Sequence, residues 1–313
     1  MQVSIGPAQD SDVRWECSRI VTGEDGATAR AMLSRMDLTQ PRHLRDVLAR
    51  HGVWLTKARG QHLLVDRGVL HRIVQAAALQ PQDAVLEVGP GAGVLTAELC
   101  RAADRVVAIE LDRRLAGVLR ETVPAPNLLV MEADAMHVDV GPLFGGHAFK
   151  LVANLPYSVA TPLLRRLLYA PNGERPSEMV VMLQKEVAYR LAARPGDMSV
   201  LAVQAQLAAD VEVLFEVAPR SFFPPPEVSS AVVRLRPLET YRVPPLPNER
   251  RFFQTATAGF SQKRKQLHNA LESLGVGPER IEAALAAAGV DPKRRAETLT
   301  LEEWSRLSAA LWG

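Results

Sequence analysis

The chain has 313 residues, 47% of them hydrophobic, enough to bury one full core and a smaller second one. With 37 Lys/Arg against 35 Asp/Glu, the net charge of +2 does not announce a nucleic-acid binder, so charge has to be read locally. Only Cys17 and Cys100 are present, without a C-x-x-C pair or metal-ligand spacing, which argues against a disulfide scaffold or structural zinc site and fits a reducing compartment. No apolar run approaches the roughly 20 residues of a membrane span. The N-terminus lacks a basic end followed by an apolar stretch. A soluble, cytoplasmic protein is expected.

Residues 1–40 hold four arginines and six acids with little periodicity, so a poorly ordered or weakly helical extension is expected there, with no function assigned. Pro41 opens a helix over 43–51, with Leu44, Val47 and Leu48 on one face. A basic loop, 57–62, leads into a helix capped at Asp66. From 83 to about 233, strand and helix alternate, with strands at 84–88, 105–109, 128–131, 150–153, 179–183, 211–217 and 231–236. Helix-length segments separate the first five, which predicts a parallel sheet covered on both faces. The last two flank a proline-rich loop and read as an antiparallel pair at one edge. Four prolines within 237–247 read as an interdomain linker. Four helical stretches follow, at 248–258, 264–273, 279–288 and 301–311. The expected organisation is an extension (1–40), a catalytic domain (41–237), a linker (238–247) and a small helical domain (248–313). Residues 248–295 carry nine Lys/Arg against five Asp/Glu, including Lys263-Arg264-Lys265 and Lys293-Arg294-Arg295. Such clusters can neutralise phosphates; each can equally be a solvated helix face.

The chemistry gathers around the first strand. Val85-Leu86-Glu87-Val88 runs into Gly89, Gly91 and Gly93, and a helix-period stretch over 94–103 follows at once. This is how a parallel α/β sheet lets its backbone press against a nucleotide-like ligand. The spacing is G-x-G-x-G and not the G-x-G-x-x-G of dinucleotide sites. Glu87, two residues before the first glycine, is also typical of methyltransferases. Seven strands in this order suit the methyltransferase variant of the doubly wound fold better than the six-stranded dinucleotide fold. Glu110 ends the second strand, 21 residues after Gly89, where an acid can accept from ribose hydroxyls. Asp134 lies just beyond the third strand. Taken alone, Glu110 is as readily a solvated strand-end acid and Asp134 a helix cap. Neither separates an NAD site from an S-adenosylmethionine site.

Asn154-Leu155-Pro156-Tyr157 does separate them. It follows the fourth strand, at the carboxyl edge where such sheets bind ligands. An adenine N6 lone pair is delocalised into the ring and is a poor nucleophile. An amide oxygen and a backbone carbonyl, both accepting from the NH₂, favour the tetrahedral amine that attacks. Proline fixes the turn and places no N–H there. Tyrosine offers a ring on which an extruded base can stack, worth roughly 1–3 kcal/mol. As a lone tetrapeptide it could be an ordinary turn with a buried tyrosine; the glycine loop and Glu110 before it favour the site.

These motifs resemble the small-subunit (16S) ribosomal RNA adenine N6,N6-dimethyltransferase family, the kasugamycin-resistance methyltransferases, over roughly 44–311. Gly60-Gln61-His62-Leu63-Leu64 is similar to the family's G-Q-[NH]-F-L loop, and Glu87 to Gly93 to its E-[IV]-G-P-G-x-G. Ile109-Glu110-Leu111-Asp112, Asp134-Ala135 and Asn154 to Tyr157 fit its I-E-x-D, D-A and N-L-P-Y. Gln184-Lys185-Glu186-Val187 resembles its Q-K-E-V, and Phe222 to Val228 its F-x-P-P-P-x-V loop. Phe260 to Leu271 resembles its F-x-x-R-R-K-x-L-x-N-x-L.

The resemblance implies a seven-stranded doubly wound S-adenosylmethionine-dependent methyltransferase fold with a small all-helical C-terminal domain. It implies S-adenosylmethionine bound by His62, Leu64, Gly89, Glu110, Asp134 and Asn154. Asn154 and the Leu155 carbonyl would receive the target amine, with Tyr157 stacking on the adenine and Phe222 as its partner. Lys263, Arg264 and Lys265 would meet RNA. The implied substrate is two adjacent adenines in the 3′-terminal hairpin of small-subunit rRNA, each dimethylated, within an assembling 30S subunit. A monomer is expected, with no metal and no membrane. Two departures stand out: Leu63 replaces a phenylalanine, and His62 stands where asparagine is commonest. The competing readings are the large-subunit (23S) rRNA adenine methyltransferase of the macrolide-resistance type and a non-catalytic ribosome assembly factor. A DNA adenine methyltransferase lacks a recognition domain here, and an NAD oxidoreductase is remote.

Overall fold

The computed structural model describes residues 37–55, 62–171, 173–244, 248–262 and 264–313. Two compact units emerge, each assembled from several stretches. The first runs up to Pro156 and includes Ala170–Ser177 and Arg220–Pro226. The second comprises Tyr157–Tyr169, Glu178–Pro219 and Glu227–Gly313. Of the expected N-terminal extension only 37–40 are described; there Asp37 accepts from the Thr39 N–H at 3.1 Å and pairs with Arg67.

In the first unit, helix α1 (Pro41–Arg50) buries Leu44, Val47 and Leu48, the stripe its spacing requires. Strand β1 (Leu63–Leu64) leads into α2 (Arg67–Ala77), whose N-cap Asp66 accepts from the Val69 N–H at 3.1 Å. Then come β2 (Ala84–Val88), α3 (Val94–Ala102), β3 (Arg105–Glu110), α4 (Arg113–Thr122), β4 (Leu128–Glu132) and β5 (Lys150–Asn154). These four long strands run parallel in the order β4-β3-β2-β5. β2 and β3 are apolar runs buried along nearly their whole length, as strands covered on both faces must be. Their register sets Val88 beside Ile109, so the glycine loop and Glu110 leave the sheet side by side.

The chain enters the second unit with α5 (Ala160–Leu168), β6 (Glu178–Gln184), α6 (Lys185–Leu191), α7 (Val200–Ala208) and β7 (Ala209–Val217). It returns to the first unit for β8 (Phe222–Phe223), which pairs antiparallel with β1: Leu63 faces Phe223 and Leu64 faces Phe222. This ribbon has no signature in the sequence, because each strand is only two residues long. β9 (Ser230–Pro237) then lies in the second unit between β6 and β7, antiparallel to both. The antiparallel edge pair expected near 211–217 and 231–236 is therefore present.

After β9 the described residues hold helices and no strand: α8 (Glu249–Phe260), α9 (Leu267–Leu271), α10 (Pro278–Ala288) and α11 (Leu301–Trp312). Phe252, Leu267, Ile281, Leu285, Trp304 and Leu307 form their core, and Ala202, Val203 and Leu207 of α7 belong to the same cluster. The proline-rich stretch before them is anchored too. Leu238 donates its N–H to the Ala208 carbonyl at 2.8 Å, and Arg242 to that of Leu207 at 3.0 Å. Asn248 and Thr300 cap α8 and α11, the latter in a full capping box with Glu303. The helix expected over 264–273 is shorter than its spacing suggested. Leu267 N–H donates to the Arg294 carbonyl at 2.7 Å and His268 N–H to that of Pro292 at 3.3 Å, so backbone pairing across the chain delays α9 until Leu267. No helix among the described residues is long and apolar enough to cross a membrane.

Gly259, in α8, lies directly against the Trp304 indole, and an added Cβ would collide with the ring. Gly259→Ala should therefore lower stability by about 1–3 kcal/mol, despite the roughly 1 kcal/mol that alanine gains over glycine in a helix. Urea denaturation measures this; an unchanged or raised midpoint would contradict the packing described.

Candidate active site

Three loops of the first unit converge on the glycines. Gly89 has φ +70°, and a Cβ there would sit 2.8 Å from Cγ of Pro156. Gly91 has φ +58°, and its Cβ would sit 2.5 Å from Cδ2 of Leu63. Both positions thus need glycine twice, for the left-handed backbone and for the close approach of a neighbouring side chain. Gly89 takes the proline of Asn154-Leu155-Pro156-Tyr157 and Gly91 takes β1. At Leu63, which replaces a phenylalanine, a leucine methyl covers the glycine backbone.

Glu110 holds the other side of the loop. One carboxylate oxygen accepts from the Gly91 N–H at 3.2 Å and the other from Asp112 N–H at 3.0 Å. The residue is only 7% exposed, and burial raises its pKa while these backbone donors oppose the shift. Each oxygen retains a lone pair for a hydroxyl donor. Asp134 caps its own turn, accepting from Met136 N–H at 2.9 Å and lying 3.2 Å from Nδ1 of His137. Its side chain is still 43% exposed, so capping and ligand binding are compatible.

Asn154 donates from Nδ2 to the His62 carbonyl at 3.2 Å, which fixes its amide, with Oδ1 as the acceptor end. His62 in turn has Nδ1 2.8 Å from the Pro224 carbonyl, an oxygen that can only accept, so Nδ1 carries the proton. The His62 departure from asparagine is thereby accounted for: imidazole ties the N-terminal loop to the segment after β8. Leu64 and Phe222 are buried, 3% exposed each, facing one another across the β1–β8 ribbon. Leu155 is 1% exposed. In the second unit, Tyr157 is half-buried and its hydroxyl lies 2.8 Å from Oγ of the fully buried Ser230. Burial raises the Tyr157 pKa, so it stays a neutral phenol.

The basic segment divides into different roles. Arg264 and Lys265 are exposed; Lys263 lies outside the described residues, as do Gly60 and Gln61 of the N-terminal loop. Arg294 is structural, donating to both carboxylate oxygens of Glu303 (2.6 and 3.1 Å) and to the Thr298 carbonyl at 2.7 Å. The hydrogen bond from Arg294 holds the Glu303 carboxyl below its ordinary range.

Sequence reasoning passed over three residues that the structure brings forward. Leu111, directly after Glu110, is 72% exposed, an apolar face beside the acid at the sheet's carboxyl edge. Ser230 anchors Tyr157; no local pattern marks it, because the partners are 73 residues apart. Glu87, noted only as a motif residue, is 2% exposed and its Oε2 is buried with no hydrogen-bond partner. Burial, with the charge of Glu110 adding to it, pushes the Glu87 pKa up to about 8, so the carboxyl is neutral below that pH.

A family model described as "Ribosomal RNA adenine dimethylase" matches residues 55–311. The chain is 43% identical over 268 residues to the "Ribosomal RNA small subunit methyltransferase A" of Geobacter metallireducens, covering 83% of this chain and 96% of the relative. It is 42% identical over 289 residues to the protein of that name in Pelotomaculum thermopropionicum, covering 87% and 96%. Among solved structures it is similar to the 23S rRNA methyltransferase ErmE, with a TM-score of 0.62, 32% identity, and coverage of 80% of this chain and 99% of that one. It is also similar to a dimethyladenosine transferase from Plasmodium falciparum, with a TM-score of 0.64, 28% identity, and coverage of 79% and 96%.

The neutral Glu87 has a consequence for stability. Its folded pKa of about 8 lies above the ordinary 4.5, so the native state holds a proton that the unfolded chain releases. Its contribution is complete below pH 4.5 and declines up to about pH 8, by at most about 1.4 kcal/mol per pH unit. Glu87→Gln cannot ionise. The unfolding free energy of the variant minus that of wild type should rise between these pH values and level off above them. A difference independent of pH would show that Glu87 is not held neutral.

Proposed function

This chain belongs to the ribosomal RNA adenine dimethylase family, and from that premise we propose that its substrate is the pair of adjacent adenines in the 3′-terminal hairpin of small-subunit rRNA. It is an S-adenosylmethionine-dependent rRNA adenine dimethyltransferase, with the doubly wound seven-stranded methyltransferase fold and a helical C-terminal region. The relatives named for the small subunit, more than 40% identical, favour that target over the large-subunit one. The substrate form we favour is an assembling 30S subunit in the cytoplasm, met by a monomeric enzyme.

The observation that carries the reading is the amide of Asn154. Its nitrogen is occupied by His62, which leaves Oδ1 to accept one N–H of the target amine. The Leu155 carbonyl is the second acceptor. Two acceptors on one NH₂ localise the nitrogen lone pair and orient it for in-line attack. Tyr157 offers an aromatic face to the extruded base; Phe222, 3% exposed within the β1–β8 ribbon, presents no open face. Bound S-adenosylmethionine supplies a methyl group on a sulfonium, whose leaving group is a neutral thioether. Glu110 receives the ribose hydroxyls, Asp134 the adenine amine, and Leu111 lies against the adenine ring. Gly89 faces the methionine part, and His62 and Leu64 hold the N-terminal loop over the cofactor. The glycine loop fits such a ligand, because its backbone is bare where side chains would otherwise stand. Positioning supplies most of the rate. A dedicated base is unnecessary, since the amine sheds its proton readily once methylated. In the second unit, Arg264 and Lys265, with Lys263 beside them in sequence, neutralise rRNA phosphates.

Two outcomes test this. Labelled S-adenosylmethionine should place methyl groups on two adjacent adenines of small subunits that lack them, with large subunits left unlabelled. Asn154→Ala should cut that rate about 100-fold or more. Label confined to large subunits would move the chain to the macrolide-resistance type, and binding without label would make it an assembly factor. Charge reversal at Arg264 and Lys265 should weaken rRNA binding and flatten its salt dependence by about one unit of slope per residue, with cofactor affinity unchanged. An unaltered salt titration would remove these residues from the interface.

A further inference from the structure

A second basic surface lies near the other end of the chain, in the first unit, and the mechanism above makes no use of it. Residues 41–59 carry five Lys/Arg and a single acid, Asp46. α1 turns Leu44, Val47 and Leu48 into a cluster that also contains Val53, with Leu55, Leu63 and Phe223 packed against it. The opposite face, including Arg42, Arg45 and Arg50, is exposed. Arg50 is tied to Glu121 of α4. Among the described residues Arg42 and Arg45 form no ion pair. Instead the Arg45 guanidinium lies 4.9 Å from the centroid of the Phe223 ring.

Trp54 stands on the same platform. Val53 before it is buried and Leu55 after it is half-buried, while the indole is 76% exposed. A single exposed apolar side chain needs no explanation by itself. Here the indole follows Val53 of a packed cluster within a strongly basic segment, and Phe223, packed against the same cluster, carries the Arg45 guanidinium. Cations supply attraction for phosphates, and an exposed flat ring supplies a stacking face for a base; single-stranded nucleic acid uses both together. The platform also adjoins the site, since Phe223 follows Phe222 in β8 and its register partner Leu63 covers Gly91.

We propose that α1 and Trp54 form a second rRNA contact, on the catalytic unit itself, which holds the strand flanking the target adenines. Arg42 and Arg45 meet phosphates and Trp54 stacks on a base. This rests on the reading that the substrate is rRNA. Because it belongs to the unit that holds the glycine loop, and Leu63 links its cluster to Gly91, it orients the strand as well as retaining it.

The test uses the full chain with a transcript of the 3′-terminal small-subunit hairpin and with small subunits lacking the methyl groups. Trp54→Ala should weaken hairpin binding about 5- to 100-fold, the range of one lost base stack. Trp54→Phe should recover most of it, and indole fluorescence should be quenched by RNA in wild type and less so in Trp54→Phe. An Arg42→Glu, Arg45→Glu double variant should lower the salt slope by about 1–2. In all three variants S-adenosylmethionine affinity should be unchanged, and the methylation defect should lie in KM and not in kcat. Wild-type affinity and salt slope in the variants would overturn the proposal. So would equal losses in Trp54→Ala and Trp54→Phe accompanied by a lower Tm, which mark a packing role. Variants that bind the hairpin normally but fail on intact subunits would assign the surface to a ribosomal protein and overturn the RNA contact. If wild type itself neither binds nor methylates small-subunit rRNA, the preceding reading fails, a result distinct from normal variants beside an active wild type.

Discussion

The close approach of three loops over bare glycine backbone is the constraint on which the rest of the first unit depends. Pro156 reaches Gly89 and Leu63 reaches Gly91 at distances that no Cβ would permit. Glu110 then fastens the Gly91 N–H to the end of β3. The turn at Pro156 and the N-terminal loop at Leu63 both rest on positions that leave no room for a side chain. These loops are therefore packed together, although they are spread over more than 90 residues of sequence from His62 to Asn154.

Polar groups at this centre follow from the same packing. A carboxylate at the end of a parallel strand is buried unless something solvates it, and here backbone N–H groups do so for Glu110. Glu87 has no such donors for Oε2 and keeps its proton instead. Both acids are buried and both pKa values are raised; at Glu110 backbone donors oppose the shift, whereas at Glu87 burial pushes it up to about 8. The amide and imidazole obey a comparable logic: Asn154 and His62 each use one nitrogen to fasten a loop, through the His62 and Pro224 carbonyls.

The second unit shows how a proline-rich stretch can fail to separate cores. Hydrogen bonds from Leu238 and Arg242 to the end of α7 hold it down, and α7 contributes to the cluster around Trp304. Basic residues that look alike in the sequence part company here. Arg294 is consumed by Glu303 and Thr298, whereas Arg264 and Lys265 remain at the surface.

The sequence by itself determined the strands and helices of the sheet, because apolar runs and capping residues such as Asp66 and Thr300 act over a few residues. It also marked Gly89, Glu110 and the Asn154 turn as one group, since they occur at spacings that local backbone geometry demands. Only the tertiary structure decided how those pieces support one another. The β1–β8 ribbon, the tie from His62 to Pro224 and the anchor from Ser230 to Tyr157 join residues 73 to 162 positions apart. The late start of α9 likewise depends on the carbonyls of Arg294 and Pro292, 24 to 27 positions away, and the neutral state of Glu87 on burial with the charge of Glu110 adding to it. Periodicity records what a residue does for its own helix or strand; it holds no record of which remote donor, acceptor or ring will arrive against it.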